Sequence, residues 1–283
     1  MSHTGPTDDT TPAPAGGLVL REVRDDGIGV VTLNRPERLN ALSMDLTTAI
    51  TAAVESMGRD RQVAVVILRG NGRGFCAGAD VKGGGGAAPD SEGRGPVGAT
   101  YRAQEHLARL VQVVHESPKP VITAAHGASV GGGLALALAA DLRVATPDTR
   151  FGAVFHNLGL SAADVGVSWF LPRVVGPTRA AELMLTGRIF TGAEADAFGM
   201  LNRLVPEEGL LDAAVDLARL VTRNSEYGVW MSKKGMWLGM DAPSLRHAME
   251  MENRTQVLGM FTDNMAAGVQ AAMDRTEPDW KPM

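Results

Sequence analysis

Two glycine-rich turns, each preceded by an apolar run typical of a buried strand, constrain this chain most. Residues 72–80 follow the run at 63–68, and residues 126–133 follow the run at 120–125. Small residues in such turns let backbone N–H groups approach a ligand without obstruction by side chains. A helix that begins at Gly131 would add unpaired N–H groups and the positive end of its dipole. The pattern therefore predicts a site that stabilises a developing oxyanion or enolate.

The spacing of apolar residues predicts an α/β fold. Strands are predicted at 18–23, 29–33, 63–68, 121–125 and 142–145, and helices at 43–57, 100–115, 131–140, 211–221, 244–258 and 262–273. Because strand, turn and helix repeat in this order, parallel pairing is favoured. Ser43 is the expected N-cap of the first helix. The Pro/Gly-rich residues 1–17 are predicted to be a disordered tail, and Lys82–Gly98 a flexible loop.

Charge and composition exclude several classes of function. The net charge is −5 and the basic residues form no stripe, which argues against nucleic-acid binding. The weakly polar stretch 121–140 contains His126 and four glycines and is followed at once by Asp141, so no membrane span is predicted. The N-terminal residues lack the apolar run of a signal peptide. Cys76 is the single cysteine, so we expect a packing role for it in a cytoplasmic, reducing setting.

Five sequence blocks in collinear order resemble the crotonase family, the enoyl-CoA hydratase/isomerase superfamily. They are LNRPERLNAL at 33–42, GFCAGAD at 74–80, PKPVITAAHG at 118–127, GGG at 131–133, and LTGRIFTGAE with GMLNRLV within 185–205. The resemblance implies a crotonase-like spiral of ββα units over residues 18–205. It also implies a helical C-terminal trimerisation region, residues 206–283, and hence a homotrimer or a dimer of trimers. The implied substrate is an acyl-CoA thioester, with coenzyme A part of the substrate and neither a separate cofactor nor a metal.

The resemblance also assigns site residues position by position. The thioester carbonyl would lie between the backbone N–H groups of Ala77 and Gly132, which would stabilise the enolate oxygen. The substrate-binding positions that match the family pattern are Ala77, Gly78, Ala79, Asp80, Gly131 and Phe155. We expect Asp80 to anchor its loop rather than to act as an acid or base.

The chain departs from the family pattern at both hydratase glutamates. The aligned positions are Ala135 and Phe155. Adding water across a double bond needs a base for the water and an acid for the α-carbon, so hydration by the usual pair of carboxylates is not expected. Residues 159–166 resemble the segment that carries a catalytic aspartate in dienoyl-CoA isomerases of this superfamily. On that match Asp164 is the acid/base, and one carboxylate suffices to move a double bond.

Other interpretations of these residues stay open at this point. Asp164 is alternatively the N-cap of a helix over 165–171, and His156 is alternatively a base or a surface histidine. Arg35 and Lys82 are candidates for contacts with the phosphates of coenzyme A, or are simply solvated charges. For the whole protein, the alternatives to an isomerase are a hydratase with a non-standard acid/base and a non-catalytic acyl-CoA-binding paralogue.

Overall fold

The computed structural model describes residues 16–83 and 86–281 of the 283-residue chain. Its strands are β1 (Val19–Val23), β2 (Ile28–Leu33), β3 (Val65–Gly70), β4 (Val121–Ala125), β5 (Ala128–Val130), β6 (Leu142–Ala145), β7 (Arg150–Gly152), β8 (Phe190–Thr191) and β9 (Arg203–Leu204). Its α-helices are α1 (Met44–Arg59), α2 (Pro96–Glu116), α3 (Gly132–Ala139), α4 (Val167–Val175), α5 (Pro177–Thr186), α6 (Gly192–Ala197), α7 (Leu210–Thr222), α8 (Glu226–Met240), α9 (Leu245–Met260) and α10 (Asp263–Asp274). Apart from Gly16 and Gly17, the predicted tail lies outside the described residues.

The chain forms two sheets and passes between them in successive turns of a spiral. The larger sheet has the strand order β1-β2-β3-β4-β6-β9, in which β1 is antiparallel to β2 and all other neighbours are parallel. The smaller sheet has the order β5-β7-β8. One turn of the winding consists of β4, β5 and α3, and β6 and β7 begin the next, so successive turns give one strand to each sheet. This arrangement is the predicted α/β spiral of ββα units.

The core contains the residues that the sequence pattern selects. All five residues of β4 are buried, as expected for a central parallel strand that is covered on both faces. Ile50, Val54 and Met57, the predicted apolar face of α1, are also buried. The Ser43 Oγ accepts a hydrogen bond of 3.2 Å from the Leu46 N–H, so the predicted N-cap of this helix is confirmed.

The predicted end of one loop differs from the structure. The loop predicted over Lys82–Gly98 ends at Gly95, because α2 begins at Pro96, whose fixed φ suits the first position of a helix. Residues 84 and 85 of this loop lie outside the described residues. Helix α7, which the predicted boundary at residue 206 assigns to the C-terminal region, packs on the larger sheet through Leu210, Ala214 and Val215.

The last three helices contribute little to the core of one chain. Neither α8 nor α9 contains a fully buried residue, and α10 buries only Asn264 and Ala271. Large apolar side chains on and beside these helices are exposed, among them Met249 at 49% and Phe261 at 85%. Within the described ranges, no helix is both long and apolar enough to cross a membrane.

Candidate active site

The two glycine turns lie side by side because each is bonded to the other through the backbone. The Cys76 N–H donates to the Ala128 carbonyl at 2.9 Å, and the Val130 N–H donates to the Cys76 carbonyl at 3.1 Å. The first turn is also fixed from its other side, because the Asn40 amide donates to the Gly74 carbonyl at 2.8 Å. These bonds place the first turn against the N-terminal end of α3.

Glycine is required at two points of this contact. A Cβ at Gly133 would lie 2.0 Å from the Cys76 carbonyl oxygen. Gly78 has φ of 83°, and a Cβ there would lie 2.8 Å from the Val130 oxygen and 3.2 Å from the Gly132 nitrogen. Any larger residue would therefore push the two turns apart. The glycine pattern that the sequence displays is a packing requirement of the site.

The backbone N–H groups of Gly132 and Ala79, which both lie in this contact, have no acceptor among the described residues. Gly132 is the first residue of α3, where an N–H has no partner within the helix. Leu42 bonds to the Gly78 carbonyl at 2.7 Å and accepts from the Asp80 N–H at 3.1 Å. The intervening Ala79 therefore points its own N–H to the opposite side of the strand-like segment. Both groups are available to a ligand oxygen.

The expectation for Ala77 requires a correction. The Ala77 N–H donates to the Leu39 carbonyl at 3.0 Å, so this donor is already used within the protein. The N–H group beside Gly78 that lacks an acceptor within the described residues belongs to Ala79 rather than to Ala77, although the two alanines flank Gly78 symmetrically in the sequence. Only the pairing of the turn with the segment 39–42 distinguishes them.

Asp80 anchors the loop after the first turn, as expected. Its carboxylate is buried, accepts from the Gly83 N–H at 2.8 Å and forms an ion pair of 2.5 Å with Arg35. Burial raises the pKa of Asp80, but the hydrogen bonds from Arg35 and Gly83 and the charge of Arg35 outweigh it, so this pKa is lowered. Arg35 also donates to the Ala41 carbonyl at 3.1 Å. It is therefore a structural cation, whereas the exposed Lys82 has no ion-pair partner among the described residues.

The two aligned glutamate positions are apolar and close to the free donors. Ala135 is fully buried in α3, and its N–H donates to the Gly131 carbonyl at 3.1 Å. The Phe155 ring has an edge carbon 4.0 Å from where a Cβ on Gly131 would stand. Neither position supplies a proton donor or acceptor. An oxyanion bound here would have apolar neighbours, which strengthen its interaction with the N–H groups.

Asp164 lies on the segment that leads from Phe155 to α4. Its Oδ1 accepts from the Val165 N–H at 2.8 Å and from the amide of Gln104 on α2. It does not cap α4, because that helix begins at Val167, has Gly166 at its N-cap and has no side-chain cap. The N-cap alternative for Asp164 is therefore wrong. Within the described residues, its carboxylate bonds to neither glycine turn.

The backbone beside Asp164 is strained. Val165 has φ of 37°, a region that β-branched residues almost never adopt, and Gly166 follows with φ of 87°. Such strain persists only where the surrounding structure enforces it, and it is concentrated at functional sites. Among the described non-glycine residues with positive φ, Val165 is the one with a β-branched side chain.

The remaining candidates lie elsewhere. His156 is exposed, which fits a surface histidine. Trp169 and Phe170 pack around the half-buried ring of His115, with ring centroids 5.5 and 5.0 Å from it. Cys76 is buried, and burial raises the pKa of its thiol to about 12, so it remains a packed thiol. Gln104 was missed by sequence reasoning, since a glutamine on a helix surface belongs to no motif.

Comparison with known proteins covers nearly the whole chain. The family model for enoyl-CoA hydratase/isomerase matches residues 23–282. The probable enoyl-CoA hydratase EchA12 of Mycobacterium tuberculosis is 39% identical over 262 residues, 92% of each chain. The 1,2-epoxyphenylacetyl-CoA isomerase of Escherichia coli is 32% identical over 257 residues, 90% of this chain and 95% of the relative.

Solved structures share the same fold. The crystal structure of a probable enoyl-CoA hydratase/isomerase from Mycobacterium abscessus superposes with a TM-score of 0.86 at 34% identity, covering 93% of this chain and 99% of that one. A monofunctional enoyl CoA isomerase from M. smegmatis gives a TM-score of 0.69 at 36% identity, covering 82% and 98%. The chain therefore belongs to the enoyl-CoA hydratase/isomerase, or crotonase, family and is an enzyme of that family with its α/β fold.

Proposed function

We propose that this enzyme moves a double bond along the acyl chain of an acyl-CoA thioester through an enolate intermediate. The backbone N–H groups of Ala79 and Gly132 bind the enolate oxygen, and Asp164 carries the proton. The observation that carries the proposal is the pair of unpartnered N–H groups on two turns in contact, next to glutamate positions occupied by Ala135 and Phe155. The site has the means to stabilise an enolate but lacks the usual pair of hydration carboxylates.

The two N–H groups supply the larger part of the stabilisation of the enolate oxygen. A thioester α-proton is only weakly acidic, so its removal becomes feasible when the developing negative charge on oxygen is bound. In other enzymes, each preorganised donor of this kind lowers the barrier by about 2.7–4 kcal/mol. Because the Gly132 N–H also lies at the N-terminal end of α3, the helix dipole adds to the same effect.

One carboxylate can carry the proton in both directions. The Asp164 carboxylate removes a proton from C2 of a 3-enoyl thioester, and the C–H electron pair moves into the C1–C2 bond as the carbonyl becomes the enolate. The protonated Asp164 then returns the proton at C4, the double bond shifts to C2–C3, and the carbonyl forms again. Proton and electrons balance without water or a redox partner, which suits general acid–base catalysis by a single group.

Two relatives support isomerisation by what they are named. The E. coli relative is a 1,2-epoxyphenylacetyl-CoA isomerase and the M. smegmatis structure is an enoyl CoA isomerase. The relative from M. tuberculosis, by contrast, is named a probable hydratase. A hydratase built on Asp164 is thus the second candidate, and it would need a further acid or base.

Assays with defined thioesters distinguish these functions. Purified enzyme is offered 2-enoyl-, 3-enoyl- and 3,5-dienoyl-CoA, with water addition and double-bond migration followed separately. We expect migration without water addition, and loss of turnover in Asp164→Asn. Water addition by the wild type would favour the hydratase. Tight acyl-CoA binding without turnover of any substrate would identify a non-catalytic paralogue instead.

We also propose that the protein assembles as a homotrimer or a dimer of trimers. The support is the apolar surface of α8–α10, which one chain leaves exposed at positions such as Met249 and Phe261. Large exposed apolar patches mark interaction sites in water-soluble proteins. Sedimentation equilibrium of the purified protein measures the assembly directly, and a monomer at micromolar concentration would refute it.

We further propose that the enzyme works in the cytoplasm. Its single cysteine, Cys76, is a buried free thiol, which suits a reducing compartment. Fractionation of the producing cells followed by immunodetection tests the location, and recovery in an extracellular fraction would contradict it.

A further inference from the structure

We infer that Gln104 is a positioning residue, whose side-chain amide holds one carboxylate oxygen of Asp164 so that the other oxygen is left for the substrate proton. The inference rests on the proposed role of Asp164 as acid/base. It concerns a residue outside the five sequence blocks and outside both glycine turns.

The two carboxylate oxygens of Asp164 accept different numbers of hydrogen bonds. Oδ1 accepts two hydrogen bonds, one from the Gln104 Nε2 and one of 2.8 Å from the Val165 N–H. Oδ2 has no hydrogen-bond partner within the described part of the chain. Two donors on one oxygen fix the plane of the carboxylate, because a single bond would leave rotation about the Cβ–Cγ bond free. The oxygen without a donor is then the one that can take and return a proton.

The second donor depends on a strained turn. Val165 presents its N–H to Asp164 with φ of 37°, and Gly166 continues the turn with φ of 87°. A Cβ on Gly166 would lie 2.9 Å from the Phe170 ring, so the turn is packed tightly against α4. Gln104 reaches this turn from α2, 60 residues earlier in the chain. The carboxylate is therefore held between two elements that the fold brings together.

A neutral donor suits this position better than a charged one. The neighbouring charges on α2 are engaged elsewhere, since Arg102 pairs with Glu105 at 2.6 Å and Arg109 pairs with Glu55 at 3.2 Å. An amide orients the carboxylate without neutralising it, whereas an arginine would form an ion pair that holds the negative charge in place. Gln104 thus orients the base and leaves it able to accept a proton.

The test replaces the amide while keeping its bulk. Gln104→Met removes the donor, and Gln104→Glu replaces it with an oxygen that repels the Asp164 carboxylate. For both variants we expect kcat to fall by about tenfold or more, as for the loss of one hydrogen bond to a charged group, with KM changed by less than about twofold. Glu105→Gln, on the same exposed helix surface, is the matched control and should keep wild-type kcat. Thermal unfolding of each variant checks that the fold is unchanged.

A double mutant separates this inference from the function on which it rests. If Gln104 acts through Asp164, then adding Gln104→Met to Asp164→Asn leaves the residual rate of α-proton exchange unchanged within about twofold, because coupled residues are not additive. The positioning role would be overturned if the rate losses of the two single mutants multiply in the double mutant. A rise in KM with kcat intact in Gln104→Met would overturn it as well. Full turnover in Asp164→Asn alone would instead overturn the proposed function.

Discussion

Ala77 and Ala79 differ in whether their backbone N–H is free to bind a ligand. Both alanines flank Gly78, and nothing in their identity separates them. The Ala77 N–H is bonded to Leu39, whereas Ala79 lies between two residues that pair with Leu42 and so points its N–H away from that pairing. Sequence reasoning predicted the turn and its glycines, and the resemblance placed the two donors at Ala77 and Gly132. The sequence does not show which alanine beside Gly78 keeps a free N–H, because that depends on a tertiary contact with the segment 39–42.

Substitution of Gly78 tests the contact between the turns. Gly78→Ala puts a Cβ 2.8 Å from the Val130 oxygen at a residue with φ of 83°, so the turns must separate. We expect the free energy of unfolding to fall by about 1–3 kcal/mol and kcat to fall by about a hundredfold. Steady-state assays measure kcat, and urea denaturation measures the free energy of unfolding. Gly93→Ala is the control, since Gly93 has φ of 72° but no atom within 4 Å of its Cβ position; equal losses in both variants would mean that strain alone matters.

The ion pair of Asp80 should make stability depend on pH. Because the folded-state pKa of Asp80 is lowered, its contribution is present above the unfolded pKa of about 3.9 and is lost as the pH falls through the folded-state value. Asp80→Asn should therefore reduce the free energy of unfolding by about 1.5–3 kcal/mol at pH 7, the range for a lost hydrogen bond to a charged group. The difference from wild type should shrink as the pH falls below about 4, as measured by denaturant unfolding at several pH values. The exposed Asp90→Asn is the control; a pH-independent difference for Asp80→Asn would contradict the account.

At the scale of secondary-structure elements, apolar periodicity predicted most positions. The strands β4 and β6 begin and end at the predicted residues, and each is a short segment that follows directly on a polar residue or a proline. The start of α2 was missed by four residues, since Pro96 and Gly98 favour a loop by composition and their helical position depends on the packing of the following turns. The turn before α4 was also missed. A positive φ at Val165 cannot be predicted from a valine, because the fold imposes it.

The N-cap of α1 provides a test of local stabilisation. Ser43→Ala removes the 3.2 Å hydrogen bond to the Leu46 N–H, which should lower the free energy of unfolding by about 1 kcal/mol. Urea denaturation with the slope held constant measures the change. Ser43→Gly should have a smaller effect, a loss of only a few tenths of a kcal/mol, because glycine leaves the backbone N–H groups open to water. No loss in Ser43→Ala would mean that packing, not capping, fixes this end of the helix.

For the molecule as a whole, five motif blocks were enough to predict the family and the spiral of ββα units. The resemblance also implies a trimerisation region in the last helices, and the structure leaves α8 and α9 without a fully buried residue. Helix α7, which the predicted C-terminal region includes, packs on the larger sheet of the core.

A charge placed on this outer surface should disrupt the assembly. Phe261 is 85% exposed between α9 and α10, so Phe261→Glu should leave the fold of one chain intact. In an interface it would bury an unpaired charge, and we expect dissociation toward monomers at micromolar concentration. Analytical ultracentrifugation measures the oligomeric state. The control is Leu185→Glu, because Leu185 lies near the end of α5 and its side chain is also exposed, at 77%. An unchanged assembly in Phe261→Glu would place the interface elsewhere.

Deuterium exchange at the α-carbon tests the central claim of enolate chemistry by Asp164 most directly. Proton NMR of a 3-enoyl-CoA incubated with enzyme in D₂O follows loss of the C2 proton and the appearance of the migrated double bond. We expect both in the wild type. In Asp164→Asn we expect the loss of both with acyl-CoA still bound, because the N–H groups of Ala79 and Gly132 remain. Exchange and migration at the wild-type rate in Asp164→Asn would contradict it.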